Sequence, residues 1–408
     1  MYTFDGILNR LTLPMALLLA VGFISSCDDT PIVGGELSPD DVQVHADTIL
    51  ISDLSVVSSP SFSGNLPFVT TGKVNDPVFG EITAMALLRP SILRDTQVDS
   101  IGENDVALLS LNINSRYGSE SATGQFQIVE ISRPWRSSSW RYDSIPGLAK
   151  QPDLSRKVVG EFTLDDRDSI AVPLSDDWAG KYRDIFMRPV SSERDSLYRA
   201  DLPGLAIVPA DGTEKMFSAQ VSRANLIFQS ANDSADLTKS ISSWAVSLKK
   251  EGPDEEMAGT SVPVYNTRSS MIELDIDFTE EFLGNINFSR VELVLYEDTL
   301  RMKSGVPADF RRPGSNVMQI YFLEPDQINF AITAEPRYPV INRNSEDNSF
   351  RVNATSLANE QIRSPDSRRK LYAVMGVNDG RFQPSLISGS ESLHRQPKLL
   401  ITSTSKVR

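Results

Sequence analysis

Cysteine and histidine are scarce in this sequence, with one cysteine and two histidines in 408 residues. A lone thiol cannot close an intramolecular disulfide or supply a cysteine-ligated zinc site, so the fold must rest on burial and hydrogen bonds. Histidine chemistry is left with His45 and His394, far apart in the chain and in no recognisable nucleophile elbow. Positive charge is also in deficit, 40 Lys+Arg against 54 Asp+Glu, for a net −14. Such a surface has little with which to neutralise phosphates, which argues against nucleic acid as a partner. No phosphate-cradling glycine loop appears, since Gly34-Gly35 stand alone. Long apolar runs are missing beyond the first thirty residues, so a second membrane segment is not expected.

Those thirty residues are distinctive. A polar start ending in Arg10 leads into an apolar stretch from Leu11 to Ile24, then Ser25, Ser26 and the sole cysteine, Cys27. A run of roughly 14 apolar residues suits the core of an export signal and is short for a bilayer span of about 20. Ile24-Ser25-Ser26-Cys27 resembles the lipobox of bacterial lipoproteins, in which the cysteine is acylated and becomes the first residue after cleavage. Several acyl chains on one residue anchor firmly where a single chain holds only marginally. Asp28-Asp29 resemble the surface-export signal of Bacteroidota lipoproteins; a solvated acidic tether is the alternative. The expectation is a signal peptide at 1–26, a tether at 27–41 and lipid anchorage in the outer membrane, facing outward. Because Asp5 and Arg10 cancel, cleavage leaves the charge at −14.

Beyond the tether, apolar residues recur at every second position. Ala107, Leu109, Leu111 and Ile113 alternate with Leu108, Ser110 and Asn112, and Ile272, Leu274, Ile276 and Phe278 alternate with acids. Val291, Leu293 and Leu295 follow the same rule. Period two places one face on a core and the other in water, as in half-buried antiparallel strands. Turn clusters such as Asn75-Asp76-Pro77, Tyr117-Gly118-Ser119 and Asn378-Asp379-Gly380 separate the runs. Residues 200–228 and 371–401 share an approximate pattern of strand, turn, small-polar strand and final strand. The expected fold is all-β, with two antiparallel jelly-roll-like β-sandwich domains in tandem. The first would span 42–248 and the second 261–408, joined by a polar linker at 249–260.

The run Val106–Ile113, the strand Phe126–Ile131, the Trp135 to Tyr142 segment and the closing Pro397–Ile401 together resemble the jelly-roll-like modules of many secreted bacterial proteins. More specifically, His45-Ala46-Asp47-Thr48, Asn75-Asp76-Pro77-Val78-Phe79-Gly80 and Thr83-Ala84 resemble a family of Bacteroidota lipoproteins classed as a domain of unknown function. That resemblance implies a surface lipoprotein and supplies no activity. Physically, Asn75-Asp76-Pro77 opens a turn, Gly80 can take a positive φ, and Phe79 can plug the core beneath.

Candidate chemistry is sparse. Asp165-Asp166-Arg167-Asp168 and Asp176-Asp177 are the tempting carboxylates, but sequence-local acids rarely flank one glycosidic bond. They lack the spaced ladder of a calcium loop as well. Trp135, Trp140 and Tyr142, among Arg133, Arg136 and Arg141, form either a platform for a ligand or partner, or core packing. Trp178 and Trp244 are expected to be buried. The expected function is a non-catalytic surface lipoprotein, a structural or accessory subunit of an outer-membrane assembly, whose partners are a β-barrel or other lipoproteins. The alternatives are a surface glycan-binding lipoprotein using the aromatic platform and, behind it, a glycan-cleaving enzyme. No metal and no cofactor are expected.

Overall fold

Alternating side chains become paired backbone. The computed structural model describes residues 42–406 except 53, 59, 95–98, 145–156, 232–234, 253–258, 268–269, 275, 277–286, 331–334, 365–367 and 393–394. Cys27, Asp28, Asp29 and His394 lie outside the described residues. The fold is all-β, and every strand pairing is antiparallel.

The first set of strands is β3 (Phe68–Asp76), β4 (Gly80–Pro90), β5 (Val106–Ser119), β6 (Gln125–Glu130), β7 (Val158–Thr163), β8 (Ser169–Pro173), β9 (Leu205–Pro209), β10 (Met216–Gln220), β11 (Asn225–Gln229) and β12 (Leu237–Glu251). They form one path, β12-β11-β5-β10-β3-β4-β9-β6-β7, with β8 added to β5. The path folds over because β12 serves two neighbours. Its first residues, from Leu237 to Ser240, pair with β11, and the stretch from Ile241 to Glu251 pairs with β4 after a register shift. A shift of this kind bends a strand and strengthens its twist, which lets one strand turn the corner between two layers.

The second set contains β13 (Ser261–Tyr265), β14 (Ser270–Leu274), β15 (Asn287–Tyr296), β17 (Val317–Leu323), β18 (Tyr338–Asn342), β19 (Ser349–Asn353), β20 (Lys370–Met375), β21 (Pro384–Ser388) and β22 (Lys398–Lys406). Its pairings repeat those of the first set in chain order. β11 and β8 flank β5, and β22 and β19 flank β15; β4 and β6 flank β9, and β14 and β17 flank β20. The pairs β6–β7 and β3–β10 recur as β17–β18 and β13–β21. The approximate sequence repeat therefore falls on β9–β11 and β20–β22, which occupy matching places.

One segment is placed otherwise than the sequence suggests. The N-terminal strands β1 (Val42–Leu50) and β2 (Leu54–Ser58) pair with β22 and β14, not with the first set. They stand where the corner-turning β12 stands in the first set. Residues 42–58 thus belong by hydrogen bonding to the C-terminal sheets, and the expected start of the first domain is corrected to that extent. Alternation reports which face of a strand is wet but carries no record of its neighbour. The expected linker also begins inside a strand, since Lys249, Lys250 and Glu251 pair with Thr83, Ile82 and Glu81.

Each set encloses its own apolar core. In the first, helix α1 (Asp176–Phe186) lays Trp178, Tyr182 and Phe186 in a helical stripe against Phe228 and the inner strands. Ser175 caps it, and Asp176 and Asp177 occupy its first turn, where the helix dipole favours negative charge. A second helix, α2 (Ser192–Asp201), packs Tyr198 edge-on to Tyr182. In the second core, Leu357 and Ala358 of a later helix (Thr355–Arg363) sit among Val291, Leu293 and Phe350.

Candidate functional site

The expected aromatic platform is largely enclosed. Trp135 follows β6 and retains 7% exposure, and its Nε1 donates to the Pro203 carbonyl at 2.9 Å. Trp140 is half-buried and meets it edge-on, with centroids 5.9 Å apart, and its Nε1 donates to Ser247 Oγ at 2.9 Å. Tyr142 is buried and donates to Asn378 Oδ1 at 2.8 Å. Trp135 packs with Leu87, Val129, Ala206 and Ala245 on the outer side of the sheet. Trp135 and Tyr142 therefore offer little surface to water, and Trp140 keeps part of its own; all three have acceptors for their polar atoms. The burial of Trp135 and Tyr142 accords with the packing reading of these rings.

What remains open beside Trp135 is a cavity of about 450 Å³. Arg89 of β4, Ser243 of β12, Arg199 from the last turn of α2, and Pro134 to Ser138 line it. Arg89 is fixed: Nε donates to the Pro203 carbonyl at 2.7 Å, Nη2 to the Trp135 carbonyl at 2.9 Å, and the guanidinium lies 5.0 Å from the Trp135 ring centroid. Burial pulls the Arg89 pKa down from its ordinary value, and the Arg199 charge nearby pulls it further. Arg136 and Arg199 are exposed and make no ion pair among the described residues. Among the described residues no carboxylate lines the cavity. Sequence reading singled out Arg136 by its closeness to the tryptophans, whereas Arg89 and Arg199 arrive from distant elements.

A second cavity, about 340 Å³, lies between the 101–106 turn and α1, with Glu103, Asp105, Asp176 and Arg183 on its walls. Asp105 there accepts from the Gly102 and Ala231 amides, so it is engaged in turn-holding. The acids at 165–168 form a comparable turn, with Asp165 accepting from the Arg167 amide and side chain. His45 sits on the edge strand β1 opposite Ser403. Trp178 is buried, and Trp244 is half-buried with its Nε1 on the Leu66 carbonyl. Among the described residues no cluster of three or more metal-ligating side chains occurs, and no helix is long and apolar enough to cross a membrane.

The most elaborate polar site is a clasp built on the Asn75–Gly80 motif. Gly80 adopts φ 79°, Phe79 is fully buried, and Asp76 Oδ1 accepts from the Val78 and Phe79 amides at 2.7 and 3.0 Å. Arg312 then grips both oxygens, Nε to Oδ2 and Nη2 to Oδ1, each at 2.8 Å. Tyr117 OH donates to Oδ2 at 2.6 Å. Burial pushes the Asp76 carboxyl up, but the Arg312 guanidinium, the Tyr117 hydroxyl and the Phe79 amide together hold it below the usual carboxylate range. Burial, reinforced by the Asp76 charge, raises the Tyr117 phenol well above normal. Arg312 belongs to an excursion between β15 and β17, whose short strand β16 (Phe310–Arg311) pairs with β5. Its guanidinium also lies 5.1 Å from the Phe79 ring centroid. Around it, Val74, Phe79, Ile82 and Tyr117 meet Tyr265, Phe382 and Leu386 in a shared apolar cluster. The motif is a joint between the two sets of sheets.

Antiparallel sheets around two apolar cores, with an ionic clasp between the sets and an arginine-lined hollow, define the chain as an all-β protein. No protein-family model and no curated protein matches it. Among solved structures, that of infectious bursal disease virus Gx strain aligns with 93% of this chain and 78% of its own, at 10% identity and TM-score 0.12. The tandem CBM51 modules of a family 98 glycoside hydrolase from Streptococcus pneumoniae align with 88% of this chain and 99% of their own, at 8% identity and TM-score 0.10. Scores this low carry no argument about fold or function.

Proposed function

We propose that the protein is a non-catalytic surface lipoprotein, held in the outer membrane through lipid on Cys27, and a structural or accessory subunit of an outer-membrane assembly. The observation that carries this reading is the order apolar run, Ile24-Ser25-Ser26-Cys27, Asp28-Asp29, with the sole cysteine where the run ends. The use of ionisable groups supports it. Asp76 and Arg312 are engaged with each other, and the buried Glu297 is engaged by Arg343 and Ser385. Neither site leaves a free acid–base pair of the kind hydrolysis requires. The jelly-roll-like modules named in the sequence fit a rigid extracellular scaffold.

The test is metabolic labelling with palmitate followed by membrane fractionation. The wild-type chain should take up label and sediment with outer membranes, and Cys27→Ser should lose both properties. Label-free wild type, or an unchanged membrane fraction in the variant, would sink the anchor. Cross-linking on intact cells should then capture an outer-membrane β-barrel or another lipoprotein; a lone uncross-linked monomer counts against the accessory role.

A further inference from the structure

We propose that the cavity bounded by Arg89, Arg136 and Arg199 binds a small ligand through a phosphate or sulfate group. Three arginines line a space of about 450 Å³, and among the described residues its walls include no carboxylate. In a chain of net charge −14 with more acids than bases, a hollow whose charged lining, among the described residues, is all cationic departs from the surface average. Like charges brought together repel unless an anion sits between them, and this repulsion contributes to the lowered Arg89 pKa.

Arg89 has the features of a built contact rather than a stray surface charge. Two backbone carbonyls and the Trp135 ring hold it in one orientation. Those two bonds use two of the five N–H donors a guanidinium carries, which leaves three for an oxyanion. The Ser137–Ser139 wall is held as well. The turn at Ser137–Ser139 is closed by the Trp140 amide on the Ser137 carbonyl at 3.1 Å, and Gly64 lies so close that a Cβ there would stand 1.8 Å from the same oxygen. A wall held in this way loses less freedom when a ligand arrives. Ser137, Ser138 and Ser243 supply hydroxyls that can donate to remaining oxygens. Arginine is the side chain suited to paired bonds with a tetrahedral oxyanion. The volume lies within the range of small-molecule sites, roughly 300–1,000 Å³. A space of this size takes a small molecule or one terminal group.

The experiment is calorimetric titration of the full mature chain in detergent. The probes are inorganic phosphate, inorganic sulfate, glucose 6-phosphate, glucose 6-sulfate and unmodified glucose, with chloride as the ionic-strength control. At least one phosphate or sulfate probe should bind saturably, and Arg136→Ser and Arg199→Ser should each weaken it about tenfold, the loss expected for a charge-assisted hydrogen bond. Both side chains are exposed, so circular dichroism should be unchanged. Arg183→Ser, in the other cavity, should leave binding as it was. Equal affinity for inorganic ions and sugar esters identifies a free oxyanion as sufficient, and tighter ester binding identifies a saccharide-borne group. Responses no greater than chloride, or binding indifferent to both substitutions, overturn the proposal. Neither result depends on lipid at Cys27.

Discussion

At Asp76, five donors converge on two oxygens, and the side chain has no exposed surface. A carboxylate in that position is stable only while its cation is present. Asp76→Asn strands the Arg312 guanidinium and should cost about 3–5 kcal/mol, the range for breaking a buried pair. Denaturant unfolding at neutral pH measures this. The pH dependence follows from the folded carboxyl titrating below its unfolded value. Its contribution is complete above the ordinary carboxylate range, near pH 4, and is lost as pH falls through the lower folded value. The stability gap between wild type and Asp76→Asn should therefore narrow on acidification, and a gap constant from neutral pH downward would contradict the clasp. Half of this site could be read from the sequence. Asn75-Asp76-Pro77, Phe79 and Gly80 announce a turn with a plug, and the structure has both. Arg312 could not be read, because Arg311-Arg312 looks like any charged pair and its partner comes from another sheet. The same reason hid Arg89 and Arg199 from the cavity.

Strands were legible as strands because burial imposes period two; their partners were not. Val106–Ile113 and Val291–Leu295 fall within β5 and β15, and the repeat in residues 200–228 and 371–401 lands on equivalent strands. Helix α1 was passed over, although Trp178, Tyr182 and Phe186 recur at four-residue spacing on one face. The segment most misread is β1–β2, where alternation gave no hint that they complete the C-terminal sheets. Deleting residues 42–58 should leave the amides of β4 and β5 protected in hydrogen exchange and release those of β14 and β22. Uniform loss across both sets would mean that the first set also depends on these strands.

For the molecule as a whole, the contacts that hold the two sets together include the shared apolar cluster, the Asp76–Arg312 pair, the β16–β5 pairing and the 376–383 loop. In that loop the Asp379 carbonyl accepts from the Phe68 amide at 2.9 Å, and the Gly380 carbonyl accepts from Thr70 at 2.8 Å. Gly380 has φ 93°, and a Cβ there would stand 1.9 Å from the Phe68 carbonyl oxygen, so only glycine fits. With the joint intact the sets should melt in one calorimetric transition. Arg312→Met leaves a buried charge at the joint and should split the transition in two; a single unshifted peak would refute the coupling.

The pairing of Val42 with Lys406, and of Leu50 with Lys398, has a bearing on how the chain is made. A polypeptide made from its amino end would have its earliest strand ready long before that strand's mate existed. The sheet that joins them would stay open, its apolar side wet, until the stretch from Lys398 to Lys406 had been made. Closure of these C-terminal sheets would then be timed by their latest strand rather than their earliest.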